Sequence, residues 1–171
     1  MGAGLKVAAI VGLIVLIGNG KHHGVPSVLA TTDSVTASRL APSGHAAVAI
    51  AYAEHQLGCP YVWGGTGPCS AGFDCSGLMM RAWQSAGAWM PRTSQQQWAS
   101  LRHIPASQVR PGDLVFFPGS DGTWRAPGHV AMVISGSRMI QAYATGTPVE
   151  VSPLSGAGAG GIVGFARPGG A

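Results

Sequence analysis

Charge is scarce in this chain. Of its 171 residues, 9% are charged, with six acidic side chains against ten Lys and Arg. Such a composition excludes a coiled coil and a disordered acidic chain. The basic residues do not run together, and no aromatic-basic cluster or nucleic-acid motif is present. The net charge of +4 therefore suits an anionic polymer such as cell wall or a membrane surface, and nucleic acid is not expected as a partner. Internal repeats are absent. There are three cysteines, and the Cys and His spacings make no zinc pattern, so neither metal nor cofactor is expected. What is plentiful is apolar residues (46%), Gly (27) and Pro (12), a loop-rich and compact composition. The stretch 43–168 is long enough to bury one core, which predicts one domain plus an appendage.

The appendage is N-terminal. Lys6 precedes the apolar run Val7 to Ile17, which Gly18 and Asn19 end. A positive start and about a dozen apolar residues fit a secretory signal segment. The run is short for a full span of about 20 residues, so a cleaved signal peptide and an uncleaved membrane anchor both stay open. Either reading puts the rest of the chain outside the cytosol, secreted or facing the cell wall from the cytoplasmic membrane. Residues 19–44 mix Gly, Pro, Ser and Thr without apolar periodicity and read as a linker. The domain is then expected over 45–171.

Helices are predicted first and strands second. Ala46 to Leu57 reads as a helix with Val48, Ala51, Tyr52 and His55 on one side, stopped by Gly58. Cys59 to Phe73 is a Gly- and Pro-rich loop. A second helix starts at Asp74 and runs to about Ala86, with Leu78, Ala82 and Trp83 as core candidates. Thr93 or Ser94 can cap a third, reaching Ser100. Asp113 to Phe117, Val130 to Ile134, Arg138 to Ala142, Val149 to Ser152 and Ile162 to Arg167 read as five short strands of an antiparallel sheet. This order predicts an α+β fold.

Cys75 opens the second helix, in Phe73-Asp74-Cys75-Ser76-Gly77. Unpaired N–H groups at a helix start favour a thiolate and are expected to lower the thiol pKa. Local chemistry leaves two readings open, a nucleophile and an inert core thiol. A nucleophile needs a base. His22 and His23 fall in the linker, His45 at the domain edge, His55 on the first helix and His103 in a polar stretch. His129 follows Pro127-Gly128 and opens an apolar strand, the rigid placement a general base requires. Gln141, on the next strand, can orient the His129 ring.

These residues sit in five ordered motifs: Pro60 to Gly65, Phe73 to Leu78, Pro91 to Ser94, Arg110 to Phe117 and Gly128 to Val133. Together, over about residues 46–167, they resemble the NlpC-type cell-wall cysteine peptidases. The resemblance implies a papain-like α+β fold, with helices packed on a small antiparallel sheet. It implies hydrolysis of peptidoglycan stem peptides, commonly at the D-glutamyl–diaminopimelate bond. It makes Cys75 the nucleophile, His129 the base and Gln141 the third polar residue, where the family usually has His. Tyr61 matches the tyrosine near the oxyanion site. Asp74 and Ser76 match residues that bind the stem peptide, and Arg92 and Trp63 join them as groove candidates; Asp74 can equally be a helix cap and Trp63 a core residue. Cys59 and Cys69 are additions to the motif pattern. In an oxidising compartment they can pair and leave Cys75 free. Two further functions fit the same scaffold: an amidase or acyltransferase, and a non-catalytic wall module of a secretion or conjugation assembly.

Overall fold

The computed structural model describes residues 44–156 and 160–169. The N-terminal apolar run and residues 19–43 of the expected linker lie outside the described residues, while Gly44, its last residue, opens the first helix instead. Among the described residues no helix is long and apolar enough to cross a membrane.

Among the described residues three α-helices precede all six strands. Helix α1 spans Gly44–Glu54, α2 Cys75–Ser85 and α3 Ser94–Ser100. α1 corrects the expectation from periodicity. Its buried face is Ala46, Ala49 and Ala53, while Val48 is 47% exposed and Ala51 and His55 face water. An alanine stripe lets the α1 backbone approach its neighbours closely. Gly112 lies against it: a side chain at 112 would meet Ala46 Cβ. On α2, Leu78, Ala82 and Trp83 are buried as the pattern predicts. Asp74 caps it, accepting from Gly77 N at 2.7 Å. α3 has a capping box in which Thr93 and Gln96 satisfy each other's backbone N–H groups.

The sheet has six strands, all antiparallel: β1 Arg102–Ile104, β2 Leu114–Phe117, β3 His129–Ser135, β4 Arg138–Gln141, β5 Glu150–Pro153 and β6 Gly164–Arg167. Their order across the sheet is β1-β6-β2-β3-β4-β5. The five expected strands are β2 to β6, within a residue or two at most ends. β1 is additional: a three-residue edge strand, Arg-His-Ile, with only Ile104 buried. It is too short and too polar to show a period.

Both faces of the sheet are covered. Leu114, Phe116, Val130, Met132 and Ile140 pack with Leu78, Met79 and Trp83 of α2 in the main core. Val115, Phe117, Ala131, Val133, Met139 and Phe165 form a second cluster with Ile104. The buried Asp113 carboxylate accepts from Arg167 at 2.7 Å, tying β6 to the turn before β2. Cys59 and Cys69 are joined by a disulfide, Cα–Cα 5.0 Å, within the loop that leads to α2.

Candidate active site

Cys75 is the first residue of α2 and the free cysteine of the chain. Its position is set by what surrounds the helix start. Asp74 N–H donates to Gly65 O at 3.0 Å. A Cβ at Gly77 would collide with that same Gly65 carbonyl. Glycine at 77 therefore lets the 60–66 loop lie on the first turn of α2, which brings Tyr61 and Trp63 to the sulfur.

The Asp74 carboxylate is fully engaged. Oδ1 accepts from Gly77 N and from Arg92 Nη1 at 3.0 Å; Oδ2 accepts from Gly64 N at 3.0 Å and from Arg92 Nη2 at 2.6 Å. Arg92 Nη1 also donates to Ser76 Oγ at 3.0 Å. Asp74, Ser76 and Arg92 thus form one network at the helix start. Gln97, fully buried, fastens it from behind by donating to Ser76 O at 3.0 Å and Pro91 O at 2.9 Å.

Cys75 faces the beginning of β3, and its thiol lies 3.8 Å from Gly128 O, the carbonyl just before His129. His129 Nε2 is 2.9 Å from Gln141 Oε1. Gln141 Nε2 in turn donates to Glu150 Oε1 at 3.2 Å and to Ser152 Oγ at 2.9 Å. Those two acceptors fix which end of the Gln141 amide faces the imidazole. Its oxygen can only accept, so Nε2 of His129 carries the proton and Nδ1 keeps its lone pair. Glu150 stands directly opposite Gln141 in the β4–β5 register. Motif reading missed it, although its place on the neighbouring strand was available from the strand prediction. Tyr143 packs edge-on to the imidazole at 5.3 Å between centroids.

The electrostatics depart from one expectation. The helix start was expected to lower the Cys75 pKa, but burial raises it to about 11, helped by the Asp74 carboxylate. Backbone hydrogen bonds from Val130 and Ser76 oppose this and lose. Burial also pushes the His129 pKa below its ordinary 6.5, against the Gln141 hydrogen bond and the Asp121 charge. At neutral pH the resting pair is therefore a thiol beside a neutral imidazole. Burial, then the charges of Cys75 and Asp74, raise Tyr61 to about 12, so its hydroxyl stays protonated and able to donate.

Two adjoining cavities flank the sulfur. One, of about 300 Å³, is lined by Tyr61, Cys75, Phe117, His129 and Tyr143 among others. The other, of about 340 Å³, is lined by Asp74, Cys75, Ser76, Arg92 and Gln95 among others. Trp63, Asp121 and Gly128 line both. Trp63 is 74% exposed, which excludes its alternative reading as core. Asp121, from the loop between β2 and β3, was not singled out by any motif. A larger apolar cavity of about 640 Å³ lies elsewhere, between Ile50, Val133 and Phe165, and has neither Cys nor His in its lining. Among the described residues no group of three or more His, Cys, Asp or Glu is placed to hold a metal ion.

Comparison with known proteins agrees with this architecture. The chain is 32% identical over 156 residues to peptidoglycan endopeptidase RipB of Mycobacterium tuberculosis, which spans 82% of this chain and 63% of the relative. It is 42% identical over 119 residues to the probable endopeptidase p60 of Listeria innocua, 69% of this chain and 24% of that protein. It thus covers less than two thirds of the length of these relatives. Among solved structures, a Staphylococcus aureus protein of the NLP/P60 family, similar to a lipoprotein, matches at TM-score 0.64 and 30% identity, covering 74% of this chain and 42% of that one. The α+β, papain-like fold expected from the motifs is the one present. The NlpC/P60 family model matches residues 58–161, from the disulfide loop through β5, and the chain belongs to that family.

Proposed function

We propose that this protein is a peptidoglycan hydrolase, a cysteine endopeptidase that cuts stem peptides at the D-glutamyl–diaminopimelate bond. The observation that carries this reading is the pairing in one groove of a free thiol at a helix start with an imidazole whose tautomer is fixed. As the Cys75 sulfur attacks the carbonyl carbon, Nδ1 of His129 takes the thiol proton. The backbone N–H groups of the first turn of α2 and the Tyr61 hydroxyl donate to the oxyanion. The C–N bond then breaks, and His129 returns the proton to the leaving amine. Water hydrolyses the thioester with His129 again as base. Gln141 orients the ring, and Glu150 behind it supplies the negative charge that the neutral amide lacks. RipB and p60, named as endopeptidases, support the reaction class; so does the gamma-DL-glutamyl hydrolase of Bacillus subtilis, 39% identical over 104 residues.

The reading includes an extracytoplasmic location. The apolar run at 7–17 serves as signal peptide or anchor, and residues 19–44 link it to the peptidase domain. An anchored form suits a secretion or conjugation assembly that opens the wall locally.

The test is digestion of purified peptidoglycan by the chain and by Cys75→Ala, with released fragments identified by mass spectrometry. New termini between D-glutamate and diaminopimelate are expected from the first alone. Identical fragment patterns would sink the peptidase reading, and termini at another amide would move it to the amidase alternative.

A further inference from the structure

We propose that the concave surface holding Trp89 and Arg102 binds the glycan strand of the cell wall, at a site separate from the cysteine groove. The proposal rests on the wall-hydrolase reading above and adds a second point of contact with the same polymer.

The site lies beyond the far end of α2. That helix ends at Ser85, and the chain then turns through Gly87, whose φ is +81°. Ala88 N donates to Trp83 O at 2.9 Å, and Met90 and Pro91 are buried. The backbone is thus fixed on both sides of Trp89, yet Trp89 itself is 77% exposed. A large ring held outward on a fixed turn adds little to the core and marks a contact surface. It lines a cavity of about 430 Å³ with His45, Pro91, Leu101, Arg102 and Arg167 among others.

The charge in this cavity is not explained by the fold either. Arg102 and Arg167 stand directly opposite in the β1–β6 register, a like-charge pair that disfavours the pairing. Asp113 neutralises Arg167. Arg102 is exposed and makes no ion pair among the described residues. No Asp or Glu is among the described residues that line the cavity. An edge strand often carries charge to stop other strands from adding to it. That accounts for a cation at 102, but not for the open indole ring in the same cavity.

An aromatic face with donors around it suits a sugar. The apolar C–H face of a pyranose stacks on the indole, while the Arg102 guanidinium and the His45 imidazole donate to oxygens at the edge of the sugar ring. A lipid surface would call for a convex apolar face instead. The wall glycan offers N-acetylated sugar rings in a row. Its lactyl carboxylates, bare wherever a stem peptide has been removed, complement Arg102. The position also fits. Pro91 lines this cavity, and the next residue, Arg92, lines the groove beside Cys75. Gln97 Nε2 donates to both Pro91 O and Ser76 O, so one buried amide braces the two sites. A strand held at Trp89 keeps its stem peptides near the sulfur.

The first test is calorimetry of the full chain carrying Cys75→Ala with purified, peptide-free glycan strands. Adding Trp89→Ala is expected to weaken binding about tenfold, the size of one aromatic contact, while Trp89→Phe retains most of it. Arg102→Gln is expected to cost about threefold, an effect that vanishes in about 1 M salt. Unchanged affinity in Trp89→Ala overturns the proposal. So does vesicle binding, on anionic phospholipid, that depends on Trp89 while glycan binding does not. The second test compares Trp89→Ala with wild type, both with Cys75 intact, on soluble peptidoglycan and on free stem peptides. KM for the polymer should rise about tenfold with kcat unchanged, and cleavage of free peptides should stay at the wild-type rate. An equal loss on both substrates overturns the proposal, because it places the effect in the groove or the fold. Trp89-dependent glycan binding without cleavage by wild type keeps this site and overturns the peptidase reading. Cleavage by wild type without glycan binding overturns this site alone.

Discussion

The two sides of the candidate groove are held by different forces. On the helix side, Cys75 is fixed by a charged network: Asp74 caps α2, pairs with Arg92 and accepts from two backbone N–H groups. On the sheet side, His129 is fixed by a neutral chain that reaches a carboxylate only at its far end, through Gln141 to Glu150. The helix side therefore carries both stability and position, because an uncapped helix and an unpaired Arg92 follow from losing one residue. The sheet side carries mainly proton chemistry, because the strands are already joined by their backbone ladders. Mutations should separate these duties.

The largest effect is expected from His129→Ala. Loss of the base should cost about 10³-fold in kcat/KM, within the range for a general base, with little change in melting temperature. Stopped assays on peptidoglycan fragments measure it; activity within tenfold of wild type would remove His129 from the base role. Next comes Asp74→Ala, expected to destabilise by about 2 kcal/mol through the lost cap and the orphaned Arg92, measured by urea unfolding. A stability equal to wild type would erase the contrast between the two sides. Gln141→Leu preserves bulk but leaves Nε2–H of His129 without an acceptor. A loss of about tenfold in kcat/KM is expected, corresponding to about 1.4 kcal/mol, with the fold retained. The smallest effect is that of Glu150→Gln, about two- to threefold, since it acts through Gln141 and is partly exposed.

Acidity offers a further way to sharpen the contrast. Because burial lowers the folded pKa of His129 below 6.5, the neutral base persists to lower pH than a free imidazole would allow. The acid limb of kcat/KM should lie below pH 6.5. The same shift makes the unfolded chain bind more protons than the folded one, so stability falls as pH drops below 6.5. Cys75 has the opposite sense. Its pKa is raised from 9.0 to about 11, so the folding stability it contributes is whole below pH 9 and is lost as pH rises to about 11. In His129→Ala, alkylation of Cys75 by iodoacetamide should climb steadily above pH 9. A plateau already at pH 7 would mean a preformed thiolate.

Much of this was legible in the sequence, for reasons that also explain the gaps. α2 announces itself by Asp74 and the spacing of Leu78, Ala82 and Trp83. β2 and β3 are buried along most of their length and read as apolar runs. α1 misleads because its packing uses alanine, which a hydrophobicity pattern ranks below the exposed Val48. β1 is invisible because only one of its three residues is buried. The sign of the Cys75 shift was missed because a helix start is visible in sequence, whereas the depth of its burial is not. Asp121 and Gln97 escaped because each acts from a segment whose sequence is ordinary and whose neighbours are set by tertiary packing.

The strand order has a consequence in time. β6 follows the other five strands in the chain, yet it pairs between β1 and β2. A chain emerging from its ribosome presents Cys75 long before this strand arrives. Until residues 164–167 insert, β1 has no partner and the Arg167–Asp113 pair is absent. The protein is thus built so that its sheet, and the candidate groove beside it, closes only after nearly all of the described chain has emerged.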